Sequence, residues 1–424
     1  MRRVLLLSTA FPPDNVAAAA RAGQLFSYLP ENNYQPVVVA STLYGSHDSA
    51  AAVHRVPEPS PSATVSALAA LGRGFTRYCA PYEDRWSWVP HAVAAAMRSI
   101  GSDPVDAIFS TSPSLGAHFA ALWLKLQLGL PWIADFQDPI RDNPARSRNW
   151  IYPYDALVER RLLGRADRLA ANTDTVAAAW RRRYPQWSQK ISILWNCFDP
   201  AEPIEPASPP ARSYRVLAHI GALYGGRHPG QLLTSLERLG IAPSDYRVRL
   251  VGPAGDDILA EQGPLLDRMR AAGLLEFDNC LVPREEATRE TVEADYLVLL
   301  DLNELPTSFQ VPSKLVSYVR AGKPILAWTP KDSPVERILA QCGIPYVAID
   351  PSSPAPECDR KVAEFLKIAP QSHRPSAWFR ETFDARSQAR QVARLLDELL
   401  AGGGAGASPA ARRSSASGRR RSSG

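Results

Sequence analysis

Short apolar runs alternate with stretches of helical periodicity along nearly the whole chain. In the first half, runs near 3–8, 36–41, 105–110, 131–135, 168–172 and 191–195 read as strands. Stretches near 17–29, 88–100, 114–128, 154–164 and 174–184 return to apolar residues every three or four positions and read as helices. Val37-Val38-Val39 and Ala107-Ile108-Phe109 are apolar at consecutive positions, which predicts strands buried on both faces of a mostly parallel sheet. Residues 42–87 hold turn residues, an Ala-rich segment and Tyr78, Tyr82 and Trp86, and predict no definite element.

The alternation stops at 199–212, where Pro200, Pro203, Pro206, Pro209 and Pro210 mark a linker. It resumes with strands near 214–220, 246–251, 295–301, 324–328 and 345–349. Helices are predicted near 229–239, 257–272, 285–293, 313–321, 333–341 and 358–367. The pattern predicts two α/β domains of similar size, 1–198 and 213–375. An amphipathic helix is predicted over 376–400, with Phe379, Phe383, Val392, Leu395, Leu396 and Leu399 along it. The tail, 401–424, is Gly, Ala, Ser, Pro and Arg and is expected to be disordered.

A chain of 424 residues with 45% hydrophobic content exceeds one core and suits two. The formal charge of +5 is a property of the tail. Five of the 48 basic residues, Arg412, Arg413, Arg419, Arg420 and Arg421, lie there, which leaves 43 against 43 acidic residues. A neutral body removes the main support for nucleic-acid binding. The five cysteines form no CxxC pair, so neither a zinc site nor a disulfide framework is expected, and a cytoplasmic location fits. Met1-Arg2-Arg3 before Val4-Leu5-Leu6-Leu7 reads as a buried first strand rather than a secretion signal, and no run reaches the ~18 apolar residues of a membrane span.

Ligands of open α/β sheets bind beyond the carboxyl ends of the strands, so the loops there carry the candidate chemistry. After the first strand, Asp14 and Asn15 precede a helix bearing Arg21; they fit either helix capping or a substrate cleft. Asp135 and Asp138 emerge at another strand end, and Asp138 is suited to orient a sugar hydroxyl or accept its proton. In the second domain Gly221 permits close backbone approach and Arg227 offers a forked donor to a diphosphate. Pro312-Ser313-Lys314 opens a helix that Gly322 ends before Pro324. Its free N–H groups and dipole, with the Ser313 hydroxyl and the Lys314 cation, form an anion site. Asp301, Asn303 and Glu304 precede it. No Asp-x-Asp, no Gly-x-x-x-x-Gly-Lys-Ser/Thr and no early Gly-x-Gly-x-x-Gly occurs, which disfavours a metal–diphosphate device, a triphosphatase and a dinucleotide site.

These segments resemble bacterial glycosyltransferases of the GT-B fold, in particular the retaining family 4, over roughly residues 1–400. The likeness rests on Phe11-Pro12-Pro13 with Arg21, Trp132 to Pro139, Trp195-Asn196-Cys197-Phe198-Asp199, Gly221 to Arg227, and Pro312-Ser313-Lys314 through Gly322-Lys323-Pro324. It implies two Rossmann-like domains facing a cleft, with the last helix crossing back to the first domain. By the same resemblance Gly221 and Arg227 contact the donor pyrophosphate, Ser313 and Lys314 its distal phosphate, and Ser317 the ribose. Asp138 falls near the reacting sugar, with Asp14, Asn15, Arg21 and Asp135 on the acceptor side. The sequence departs from the family at its Glu-x7-Glu pair, where Phe309 and Ser317 stand, with Glu304 as a substitute carboxylate; Ala222 replaces an arginine and Cys197 a glycine.

The implied activity is transfer of a sugar from a UDP- or GDP-sugar to a glycan or lipid-linked acceptor in cell-surface polysaccharide assembly, with no cofactor and no metal. The rivals are a secondary-metabolite glycosyltransferase, a nucleotide-sugar-binding protein without turnover, and an epimerase of similar shape. For a lipid-linked acceptor, Arg160, Arg161, Arg165, Arg168 and Arg181-Arg182-Arg183 beside Trp180, Tyr184 and Trp187 fit either a peripheral patch on the inner face of the cell membrane or a solvated helix face.

Overall fold

The computed structural model describes residues 1–14, 17–42, 52–58, 85–112, 114–143, 152–202, 204, 210–301 and 309–403. The first domain runs β1 (Arg2–Ser8), α1 (Ala17–Tyr28), β2 (Tyr34–Ser41), β3 (Val53–Val56), α2 (Val89–Ser102), β4 (Ala107–Thr111), α3 (Gly116–Leu128), β5 (Trp132–Phe136), α4 (Tyr152–Arg165), β6 (Arg168–Ala171), α5 (Asp174–Arg183) and β7 (Ile191–Ile193). The second continues with β8 (Arg215–Ile220), α6 (Gly230–Arg238), β9 (Tyr246–Val251), α7 (Asp256–Ala271), β10 (Leu275–Asp278), α8 (Arg284–Glu293) and β11 (Tyr296–Leu300). It is completed by α9 (Ser313–Ala321), β12 (Ile325–Trp328), α10 (Pro334–Gln341), β13 (Tyr346–Ile349) and α11 (Ala355–Phe365), before α12 (Ala377–Thr382) and α13 (Ala385–Gly403).

Two parallel sheets result, ordered β3-β2-β1-β4-β5-β6-β7 and β10-β9-β8-β11-β12-β13. Both are covered on each face, which is why their central strands carry apolar residues at consecutive positions, as in Val4 to Leu7 of β1 and Tyr296 to Leu300 of β11. In β1, Val4 and Leu6 pack with α1 and α13, while Leu5 and Leu7 join the core under α2 to α5. In β8, Leu217 faces α6, α7 and α11, and Val216, Ala218 and Ile220 face α8 to α10 and α12. The strand order reverses between β1 and β4 and again between β8 and β11, so each sheet has a switch point where helices leave in opposite directions.

The final helix does return to the first domain. Ala389, Val392 and Leu396 lie in one core with Val4 and Leu25, and Asp397 accepts a hydrogen bond from the Tyr34 hydroxyl at 2.7 Å. The single helix expected over 376–400 is, however, two. Phe198 N–H donates to the Phe383 carbonyl at 2.8 Å and Ala385 N–H to the Phe198 carbonyl at 3.0 Å, a bridge that breaks the helix. Asp384 then caps α13 by accepting from the Arg386 amide at 2.6 Å. Helix α13 also extends past the expected end to Gly403, and the rest of the tail lies outside the described residues, as do linker residues 203 and 205–209.

Candidate functional site

In the second domain, β8 delivers His219 and Ile220 to the switch point and Gly221 turns the chain with φ +129, a conformation that L side chains rarely adopt. Helix α9 is fastened beside it: Ile220 N–H donates to the Tyr318 hydroxyl at 2.8 Å, and Tyr318 is buried. The start of α9 is thereby held over Gly221, and a Cβ built on Gly221 would meet Lys314 Nζ at 2.7 Å. Pro312 precedes the helix without a side-chain cap, and Gly322 ends it in the left-handed region with φ 73, as expected. Ser313 and Ser317, four residues apart on one face, are both exposed.

Lys314 is positioned by a residue that the motif reading passed over. His219 is fully buried; its Nδ1 donates to the Val298 carbonyl at 2.9 Å, leaving the Nε2 lone pair for Lys314 Nζ at 3.0 Å. Burial, then the Lys314 charge, keeps the His219 imidazole neutral, its pKa well below the ordinary value. Burial and the nearby Arg227 guanidinium in turn push the Lys314 pKa down to about 7, against the opposing pull of Asp301. Arg227 itself is buried, donates to the Tyr224 hydroxyl and lies 4.7 Å from that ring's centroid. Its Nε has no hydrogen-bond partner. Two cations and a helix N-terminus thus converge on one small volume, and desolvation of a lysine beside an arginine is a standing cost that an anion would relieve.

Across the domain boundary, Asp138 accepts from Gln310 Nε2 at 2.9 Å. Burial raises the Asp138 pKa, with the Gln310 bond and Arg21 opposing the shift. Next to this contact the Thr173 hydroxyl donates to the Phe309 carbonyl at 2.8 Å, and Arg337 donates to Asp174 at 2.7 Å. Residues 309 and 310 lead straight into α9, so the segment touching Asp138 also carries Lys314.

The expected acceptor side is different from its sequence reading. Arg21 and Asp135 do not present free groups to a ligand: their side chains are 5% and 0% exposed and pair at 2.9 Å. Arg21 further donates to the Leu194 carbonyl at 2.7 Å, to Asn172 at 2.8 Å and to Asn196 at 2.9 Å, tying together the ends of β5, β6 and β7. Asp14 is likewise internal, accepting from the Phe11 amide at 2.9 Å and pairing with Arg55 at 3.2 Å, so its carboxylate braces its own loop. Asn15 and Glu304 lie outside the described residues. Among the described residues no group of three or more His, Cys, Asp or Glu side chains is placed to hold a metal ion.

Two facing Rossmann-like units with a cationic switch-point loop in the second define the GT-B class of α/β proteins. Residues 17–194 match the model of the glycosyl transferase 4-like domain family, and the chain has the GT-B fold. Sucrose-phosphate synthase from Thermosynechococcus elongatus has a similar structure, with a TM-score of 0.64, 14% identity, and coverage of 95% of this chain and 100% of that one. HepE of Anabaena, solved in complex with UDP and glucose, superposes with a TM-score of 0.59 at 14% identity over 94% of this chain and 100% of its own. WaaG, a glycosyltransferase involved in lipopolysaccharide biosynthesis, gives 0.55 at 13% identity over 94% and 98%. No curated protein sequence matches the chain.

Proposed function

We propose that the protein moves a sugar from a UDP- or GDP-sugar to a glycan or lipid-linked acceptor in cell-surface polysaccharide assembly, with retention of anomeric configuration. The observation that carries the proposal is the Gly221, Arg227 and Lys314 cradle at the β8 switch point. Neighbours of this fold that were solved with UDP, or that act in lipopolysaccharide biosynthesis, support the donor class and the pathway.

The diphosphate lies against Gly221, Arg227 and the α9 N-terminus, with Ser313 and Lys314 at the distal phosphate and Ser317 toward the ribose. As the bond from the sugar anomeric carbon to the diphosphate oxygen breaks, the developing negative charge is met by Arg227, protonated Lys314 and the helix dipole, with no metal required. Asp138 orients the acceptor hydroxyl, whose oxygen bonds to the anomeric carbon, and accepts its proton; its raised pKa makes it a stronger base than an exposed aspartate. Domain contact through Gln310 and Phe309 positions both lobes and keeps water from the donor.

Calorimetric titration with UDP and GDP, followed by donor-dependent release of the diphosphate in the presence of a lipid-linked glycan, tests the proposal. Binding of one nucleotide, lost in Lys314→Ala, is expected; absence of binding by either overturns it. A second reading, a nucleotide-sugar-binding protein without turnover, is favoured by Phe309 and Ser317 standing where the family pattern has carboxylates. Nucleotide binding without release from any common donor supports that reading instead.

A further inference from the structure

Helices α2, α3 and α4 form the outer layer of the first domain on the side away from α1 and α13. Between them lies an apolar groove of about 780 Å³, lined by Trp86, Phe119, Trp123, Leu126, Leu157 and Arg161 among others. Four of the eight exposed large hydrophobic side chains among the described residues gather here: Leu157 at 66%, Leu126 at 62%, Trp123 at 42% and Trp86 at 39%. Trp86 stacks on Phe119 with centroids 3.7 Å apart, which fixes an aromatic wall rather than a loose side chain. An apolar surface of this kind is unusual on a freely solvated protein.

The three helices themselves expose charge of one sign. Helices α2 and α3 contain no acidic residue, and the two in α4, Asp155 and Glu159, are 3% and 0% exposed. The three helices therefore present no exposed carboxylate. They do present Arg98, Arg160, Arg161 and Arg165, with Leu157, Arg161 and Arg165 at four-residue spacing on one stripe of α4. The face keeps Arg160, Arg161 and Arg165 of the patch expected from the sequence, all exposed. Of the rest of that patch, Trp180 and Tyr184 are buried, Arg183 pairs with Glu159 and Arg168 with Glu398, while Arg181 and Arg182 are exposed. Among the described residues no helix is long and apolar enough to cross a membrane, so contact through this face is peripheral.

We infer that this face docks on an anionic lipid bilayer, with Trp86, Trp123, Leu126 and Leu157 entering the interface and the α4 arginines meeting headgroup phosphates. Apolar side chains alone suit a second copy of the chain equally well; three helices that expose arginines and no carboxylate of their own repel a second copy and attract anionic lipid. The inference deepens the proposed use of a lipid-linked acceptor, since docking would hold the first domain at the surface where such an acceptor resides. It stands on the surface alone, not on the cradle.

Flotation of the full-length protein with phosphatidylcholine vesicles, with and without about one third phosphatidylglycerol, tests it. Leu126→Ser/Leu157→Gln and Arg161→Glu/Arg165→Glu alter only exposed positions, and both leave the basic tail intact. Flotation is expected only with the anionic vesicles and is expected to fall at least about tenfold in each double variant. UDP titration and the thermal midpoint are expected to be unchanged, which separates failure of docking from failure of the donor site. Absence of flotation by the wild type overturns the inference, and so does equal flotation by wild type and variants, which assigns binding to the tail. A concentration-dependent dimer that Leu126→Ser/Leu157→Gln dissociates, without flotation, assigns the face to self-association and also overturns it.

Discussion

Gln310 donates to Asp138 at 2.9 Å across the boundary between the two domains, three residues before the start of the helix that carries Lys314. The candidate base of one lobe is thus hydrogen-bonded to the segment that positions the candidate phosphate ligand of the other. The contact between the lobes and the ionisation of Asp138 are coupled through this one amide.

Asp138→Asn is expected to reduce kcat by about 10²–10⁴-fold while nucleotide binding persists, as removal of a general base does. Gln310→Ala gives a different signature. The Gln310 bond holds the Asp138 pKa down against burial, so its loss raises that pKa further and moves the acidic limb of the kcat/KM profile to higher pH. An unchanged profile would show that Asp138 is not the titrating base.

Central strands were legible because both faces of each sheet are covered, as in Val37-Val38-Val39. Two of the four edge strands, β3 and β10, were not. Strand β10 reads Leu-Glu-Phe-Asp with only Leu275 buried, and β3 buries only Val53 and Val56, so neither carries a run to notice. The Gly221 and Ser313-Lys314 loops could be found because backbone demands leave glycine and helix-start signals. His219 could not, since a histidine within an apolar strand reads as core until Lys314 is brought to it from 95 residues away. Arg21 and Asp135 misled for the related reason that a charged pair looks alike in sequence whether it faces a ligand or closes on itself.

Lys314 sets a pH dependence. With a pKa pushed down to about 7, it loses its proton in the free protein as pH rises through neutrality, whereas a bound diphosphate favours the charged form. Nucleotide affinity is expected to fall above pH 7, and titration in two buffers of different ionisation enthalpy should reveal proton uptake on binding. His219→Gln, which keeps an acceptor option, should preserve more of the affinity than His219→Ala. PH-independent binding without proton uptake would contradict the assignment.

Gly221→Ala places a methyl 2.7 Å from Lys314 Nζ, at a φ of +129. The lysine end can swing aside, so the steric term is small; the backbone strain remains, and a stability loss of about 1–3 kcal/mol is expected by denaturant unfolding. Because the displaced ammonium no longer faces the cradle, nucleotide binding should weaken beyond what the stability change accounts for. A variant that binds as the wild type does would remove Gly221 from the donor site.

Arg21→Met tests the reassignment of Arg21 from ligand contact to internal clamp. It leaves the Asp135 carboxylate buried without its cation and Asn172 and Asn196 each short of a donor, so a loss of about 3–5 kcal/mol is expected. The loss should also depend on pH. Burial already raises the Asp135 pKa above its ordinary value and Arg21 opposes that shift, so without Arg21 the folded state holds its proton to still higher pH than the unfolded chain. The folded state then binds more protons than the unfolded one above the unfolded carboxylate pKa, and stability falls as pH rises through that window. The variant should therefore be least destabilised in acid, with Asp135→Asn in the same background removing the pH dependence. A variant of native stability but impaired acceptor use would return Arg21 to the cleft.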